Sequence, residues 1–356
     1  MVAGLGRGDI RVVLFSAAIV AAAGVLHFAE APALATFAVA AVALAGIAYL
    51  IGESTDQLGN HLGPAATGIV QSAVGNLPEL FVCIFALRAG LITVVQASLI
   101  GSILSNALLV LGLAFVAGGW RFGTLRFGGE APRMIASLLM LAVAALVLPT
   151  FAHELHLPAG EHEQALAVVC AVVLLVVYAV SIRAMLTQGE RTIPAEAHQH
   201  GGGAWPLATA IVVLSVAGLG AALVSEWFVD ALEPAIEALG ISQAFAGLVI
   251  VAIAGNAVEH AVGIQLAWRG KAELAVSVVL NSALQVAVAL VPILILVSLF
   301  IGGTPFTLAI PPLLAIAVGL AVLVVTIVTV DGEADMVDGA ALCGLYVIIA
   351  ALFWWG

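Results

Sequence analysis

Gly75-Asn76-Leu77-Pro78-Glu79 sits inside a long apolar run and leads on to Gly101-Ser102-Ile103-Leu104-Ser105-Asn106. The pattern returns 180 residues later as Gly255-Asn256-Ala257-Val258-Glu259-His260, followed by Asn281-Ser282-Ala283-Leu284-Gln285. At that offset Gly75 falls on Gly255, Asn76 on Asn256, Glu79 on Glu259, Gly90 on Gly270, Ser102 on Ser282 and Leu104 on Leu284. A carboxylate at the centre of a membrane-length apolar segment costs at least ~2.5 kcal/mol. One such residue could be an accident. Two at matching positions of two repeats mark a site.

The composition around these stretches excludes a soluble domain. Of 356 residues, 63% are hydrophobic and 9% charged, and the mean hydropathy is +1.23. Apolar runs of about 20 residues read as spanning helices, because the hydrocarbon core is ~30 Å thick and a helix rises ~1.5 Å per residue. Barrel strands would alternate instead. The fold class is therefore an all-α polytopic membrane protein, with the lipid bilayer as its solvent. The net charge of −11 belongs to the loops. It suits cation attraction, and with no basic patch nucleic acid is excluded as a partner. Cys83, Cys170 and Cys343 lie in apolar segments without disulfide or zinc spacing.

Eleven spans can be placed, near residues 12–28, 33–52, 66–87, 91–117, 133–151, 164–186, 206–229, 245–268, 273–300, 306–330 and 339–355. Ala33-Leu34-Ala35 mimics a signal-peptide cleavage site, but the long first run and the spans behind it favour a retained helix. The chain divides into a first helix (1–32), an N-terminal five-helix half (33–186), a polar linker (187–205) containing Gly201-Gly202-Gly203, and a C-terminal five-helix half (206–356). Nine of the ten Lys and Arg residues fall in the N-terminus or in the loops after spans four, six and eight, counting Arg133 and Arg183 at the span ends beside those loops; Arg88 is the exception. This bias predicts a cytoplasmic N-terminus. The third span then enters from the cytoplasm and the eighth from outside, so the two copies run antiparallel. An inverted repeat with a polar midplane is the architecture of secondary transporters.

The chemistry of the repeat points to a hard cation. Gly, Asn and Pro78 weaken the helix before each glutamate, and carbonyl oxygens freed at membrane depth persist only where they line a cavity or bind something. Two carboxylates with several neutral oxygens suit calcium, which takes about 6–8 oxygen ligands. No thiolate joins the set and His260 is the one imidazole beside it, which argues against a dedicated zinc or copper site. Protons and calcium would compete for the same two acids, and that competition is the coupling of an antiporter. Glu79 and Glu259 are the candidate shared cation ligands and proton carriers; Asn76, Asn256, Ser102, Ser282 and Gln285 are candidate neutral ligands or orienters, with Asn106 behind them.

Blander readings stand beside these. A buried glutamate can be protonated and bonded to a neighbouring helix. Ser102 and Ser282 can simply permit close packing, as small residues do, and Gly101 reads as packing. Glu53 and Glu226 close apolar spans, either solvated or as proton-access groups. The three histidines of residues 153–163 read as a solvated loop rather than a metal site. The acids from Asp331 to Asp338 lack EF-hand spacing and read as a turn.

These residues resemble the calcium/proton antiporters of the cation/proton exchanger family, within the calcium/cation antiporter superfamily. The likeness runs through Gly75–Leu80, Gly101–Leu104, Gly255–His260 and Asn281–Gln285, and continues at Ser225–Val229, Gly240–Ser242 and Asp331–Glu333. It implies a sodium/calcium exchanger-like fold of eleven transmembrane helices, one plus two inverted five-helix repeats. It also implies exchange of cytoplasmic Ca2+ for H+ by alternating access, with Glu79 and Glu259 at the centre. No cofactor and no enzymatic activity are expected, Ca2+ being the transported substrate. The short loops favour a prokaryotic inner membrane, and oligomeric state is not legible. Two departures stand out: the linker has only Glu190 and Glu196 where relatives carry an acidic run, and Asn281 replaces a usual glycine.

The alternatives are a Na+/Ca2+ exchanger, or a proton-coupled exchanger of Mn2+ or another divalent cation. Sodium coupling tends to use a further acid after the second signature, where this chain offers Gln285. A membrane hydrolase lacks a His-Glu-x-x-His motif, and a passive channel would show flux without proton coupling.

Overall fold

The computed structural model describes residues 6–62, 70, 74–128, 130–188 and 205–355. Residues 189–204 of the expected linker, with His198 and His200, lie outside the described residues, as does most of the approach to the first signature. Among the described residues the structure is all-helical apart from one two-stranded ribbon. The helices are α1 (Arg7–Phe28), α2 (Ala33–Leu62), α3 (Leu77–Arg88), α4 (Ile92–Phe122), α5 (Glu130–Glu154), α6 (Glu163–Gln188), α7 (Leu207–Leu239), α8 (Gln243–Gly255), α9 (Ala257–Trp268), α10 (Ala272–Ser298), α11 (Pro312–Thr329) and α12 (Met336–Leu352). Among the described residues eight helices are long and apolar enough to cross a membrane, or nine when α8 and α9 count as one span bent by 67°. α12 is a shorter apolar helix of 17 residues.

Two helices run on past the apolar limits read from sequence. α2 continues beyond Gly52 to Leu62, and α7 beyond Val229 to Leu239. Hydropathy marks where hydrocarbon ends, whereas a helix ends only where its backbone finds other partners. For α7 that point is Gly240, whose φ of 63° lets it close the helix in the left-handed region.

The chain forms two compact units: residues 1–85, 179–240 and 254–258, and residues 86–178, 241–253 and 259–356. In the first, α2 and α7 pack along their lengths, with Phe37 stacked on Phe228 at 4.8 Å between ring centroids. Gly24 of α1 faces the Trp227 indole, and Ser16 donates to the Gly46 carbonyl at 3.3 Å. Trp205, ahead of α7, is held at three points: its indole donates to Asp9, its amide to Gln57 Oε1, and its carbonyl meets His61 Nε2 at 2.7 Å.

In the second unit, glycines set the helix spacing. A Cβ on Gly101 would lie 2.3 Å from the Leu248 carbonyl oxygen, and one on Gly247 would lie 2.4 Å from that of Val94. Gly112 of α4 and Gly339 of α12 meet in the same way, each against the other's carbonyl. Without a hydrophobic drive between helices in lipid, such backbone contact supplies much of the attraction. The ribbon pairs Leu125–Arg126 antiparallel with Glu333–Ala334, and an exposed Arg126–Glu333 ion pair closes it. His153 Nδ1 lies 2.6 Å from Glu163 Oε1, joining the end of α5 to the start of α6, while His156 and His162 are exposed.

Gly101→Ala or Gly247→Ala forces backbones apart. Each is expected to destabilise the protein by about 1–3 kcal/mol, read as a fall of several degrees in the melting temperature of the detergent-solubilised protein. Gly218→Ala, with nothing within 4 Å of the added methyl, leaves the melting temperature in place.

Candidate ion-binding site

Each signature opens a helix of 12 residues, α3 after the Gly75-Asn76 turn and α9 after the break at Asn256. Glu79 and Glu259 each stand third in their helix, in the first turn. The first turn is where backbone N–H groups lack intrahelical partners and the macrodipole is positive. A carboxylate there is stabilised in its ionised form, which offsets part of the cost of holding it among apolar residues. Pro78 occupies the second position, where its missing N–H removes no helical bond, and the Asn76 carbonyl accepts from Leu80 N at 2.9 Å.

The two copies also end alike. Gly90 and Gly270 have φ of 79° and 76°. Gly90 N donates to Leu87 O and Leu91 N to Ala86 O; Gly270 N donates to Ala267 O and Lys271 N to Leu266 O. Each copy then runs into a long helix interrupted by a π-helical turn, Ser105–Val110 in α4 and Val286–Leu290 in α10. Such turns break the regular bonding ladder and occur often at functional positions.

In the first unit Glu79 is 2% exposed and packs against the second signature. A Cβ on Gly255 would lie 3.6 Å from Glu79 Cβ and 3.8 Å from its Cγ. Gly255 is not in the left-handed region, so the glycine serves space rather than backbone conformation. Asn256 is buried and Asn76 half-buried. Glu53 of α2 is half-buried and accepts from Gln57 Nε2 at 2.9 Å. Glu226 of α7 is exposed.

In the second unit Ser102 and Ser282 are buried, and Gln285 is half-buried at the last residue before the π-helical turn. The Ser102 carbonyl accepts from Asn106 Nδ2 at 2.9 Å and from Ser105 Oγ at 3.3 Å. Glu259 Oε2 is sealed from solvent and has no hydrogen-bond partner among the described residues. His260 Nε2 lies 3.5 Å from Ser105 Oγ. Among the described residues no three His, Cys, Asp or Glu side chains are placed to hold a metal ion. A cation drawn to either carboxylate would take its remaining oxygens from amides, hydroxyls and backbone, the donors that hard cations accept.

Sequence reasoning passed over three of these contacts. Ser105 against His260 joins two positions read separately. Gln57 and Trp205 are linked only by folding. Ser225, beside Glu226 in a motif already singled out, is the residue that reaches the first signature: its Oγ donates to the Pro78 carbonyl at 3.4 Å.

The match to sodium/calcium exchanger proteins covers residues 32–187 and 209–355, and the chain belongs to that family. Within it, the resemblance to the calcium/proton antiporters of the cation/proton exchanger family holds across the chain. A Ca2+/H+ antiporter of Aphanothece halophytica is 33% identical over 344 residues, covering 92% of this chain and 91% of that protein. One from Synechocystis sp. is 35% identical over 342 residues, covering 89% and 90%. The crystal structure of the Ca2+/H+ antiporter protein YfkE superposes with a TM-score of 0.81 at 28% identity, covering 97% of this chain and 99% of that one.

Gly255→Ala fits in ordinary contact with Glu79 and is expected to keep Ca2+ affinity within about threefold. Gly255→Val drives a branched methyl into the Glu79 side chain at Cβ and Cγ and lowers affinity about tenfold or more, the consequence of overpacking. Isothermal titration of purified protein with Ca2+ checks both.

Proposed function

We propose that this protein is a secondary transporter that exchanges cytoplasmic Ca2+ for H+ by alternating access. One observation carries the reading: Glu79 and Glu259 occupy the same place, in the first turn of matched 12-residue helices that follow a break in an apolar segment. The names of its relatives support the pair of ions. Glu79 and Glu259 bind the cation and, when it leaves, the protons. Asn76, Asn256, Ser102, Ser282 and Gln285 supply neutral oxygens or orient the two acids, and Glu53 and Glu226 lie on the proton's route. No cofactor is required.

The proposed architecture is one helix followed by two inverted five-helix halves, 33–186 and 206–356, making eleven spans. The eight long helices, the α8–α9 pair, α12 and the third apolar run of the sequence, near residues 66–87, together make that number. The matched glycine caps and π-helical turns support a repeat at an offset of 180 residues. The charge bias of the loops supports a cytoplasmic N-terminus in a cell inner membrane.

Calcium uptake into proteoliposomes under an imposed pH gradient, without sodium, tests the reading. Uptake abolished by a protonophore and indifferent to sodium is expected. Uptake that requires a sodium gradient would reassign the coupling, and flux with no gradient dependence would make the protein a channel. Glu79→Gln and Glu259→Gln each remove a titratable ligand and are expected to lower exchange about 100-fold or more, the cost of losing a charged partner for a buried ion. Arg88→Ala is expected to leave at least about half.

Competition also sets the sign of the pH dependence. A protonated carboxylate does not bind Ca2+, so the Ca2+ KM measured at saturating gradient is expected to rise as pH falls on the calcium side, with Vmax nearly constant. A KM independent of pH would remove protons from the cation site.

A further inference from the structure

Several helical serines and threonines among the described residues bond to their own helix. Ser54 donates to Leu50 O at 2.6 Å, Thr55 to Ile51 O at 2.8 Å, Thr326 to Val322 O at 2.7 Å and Thr329 to Val325 O at 2.8 Å. That is the ordinary resting place of such a hydroxyl, four residues back along the ladder. Ser225 differs. It is fully buried in the middle of α7, yet its Oγ donates to the carbonyl of Pro78, on a different helix. That carbonyl belongs to the peptide group that continues directly into Glu79.

The opposite long helix makes the reciprocal approach. Gly52 of α2 faces Val258, with a Cβ on Gly52 falling 4.0 Å from Val258 Cγ1. Val258 immediately precedes Glu259, as Pro78 precedes Glu79. Within this unit each long helix therefore comes close to the residue before a signature glutamate, in each case in the other half of the chain. The α2 approach leaves room for a methyl group between Gly52 and the Val258 side chain. The α7 approach is a directional bond. The fixed φ of Pro78 removes one of the two backbone rotations that could absorb a pull on its carbonyl, and the other, ψ, is part of the first turn of α3.

We infer that Ser225 is a positioning residue for Glu79, through which helix α7 sets the placement of the first-turn carboxylate for cation binding. The bond is long for an O–H···O contact, whose usual length is about 2.7–2.8 Å. A small shift of α7 along its axis therefore either tightens it or breaks it. Glu79 is held firmly in one arrangement of α7 and less firmly in another, and cation affinity follows the position of the helix. The inference rests on the transport reading of Glu79 as a cation ligand.

The test compares wild type, Ser225→Ala and Ser225→Thr, each purified and checked for equal melting temperature and monodispersity. Two readouts are taken: Ca2+ affinity by isothermal titration, and the KM and Vmax of proton-driven uptake in proteoliposomes. Ser225→Ala is expected to weaken Ca2+ affinity and raise KM about fivefold, the usual net worth of one hydrogen bond, with Vmax within about twofold. Ser225→Thr keeps the hydroxyl and restores both. Where the added methyl lowers the melting temperature of Ser225→Thr, Ser225→Cys replaces it as the donor of similar size, and an intermediate KM is expected. A merely structural role would lower Vmax through loss of folded protein and leave KM in place. Unchanged affinity in folded Ser225→Ala, or equal weakening in the alanine and hydroxyl-bearing variants, overturns the inference. A wild-type protein that binds no Ca2+ overturns the transport reading instead.

Discussion

A carboxylate buried in a membrane-spanning segment needs compensation from groups that water would otherwise supply. In this protein that compensation comes from the first turn of a helix. Breaking the segment at Gly75-Asn76 and at Asn256 creates two fresh helix N-termini within apolar sequence, and Glu79 and Glu259 stand in the first turn of each. The positive end of the helix favours the ionised acid, and the residues upstream of it give up regular helix geometry. Much of the surrounding structure can be read as support for those two breaks.

The support is built from close backbone approach. Gly101 against Leu248, Gly247 against Val94 and the mutual contact of Gly112 with Gly339 leave no room for a side chain. Such contacts fix helix positions more tightly than interdigitating leucines would, because the facing atoms are backbone and cannot change rotamer. The copies differ here. At the position matching Gly101 the second half carries a half-buried Asn281, so α10 cannot repeat the approach that α4 makes. The two halves share a pattern of breaks, caps and π-helical turns without sharing every packing contact, and the Ser225 bond to Pro78 has no hydroxyl counterpart, since Ala45 stands 180 residues earlier.

Polar groups beyond the signatures follow a simpler rule. Glu53, Gln57 and His61 lie at intervals of four along α2 and so on one face, and the structure uses that face to hold Trp205. Glu226, in contrast, faces outward on α7 while its neighbour Ser225 faces in. A hydropathy profile cannot separate such neighbours. Helix rotation, set by packing of α2 along α7, decides which of two adjacent polar residues meets the interior.

Sequence alone determined the class. Long apolar runs require helices because lipid offers no hydrogen bonds to an unpaired backbone, and two matched Gly-Asn-x-x-Glu stretches mark two matched carboxylates. A sequence offset of 180 was legible; α3 and α9 are both 12 residues long, Gly90 and Gly270 both have positive φ, and α4 and α10 each carry a π-helical turn. What only the tertiary structure decided is which groups meet across long separations: Glu79 against Gly255, Ser105 against His260, Ser225 on Pro78 and Trp205 in the grip of Asp9, Gln57 and His61. The reason is physical. Periodicity and composition act within a helix, over a few residues, whereas the choice of partner depends on how each helix is rotated and how closely its glycines let it approach the next.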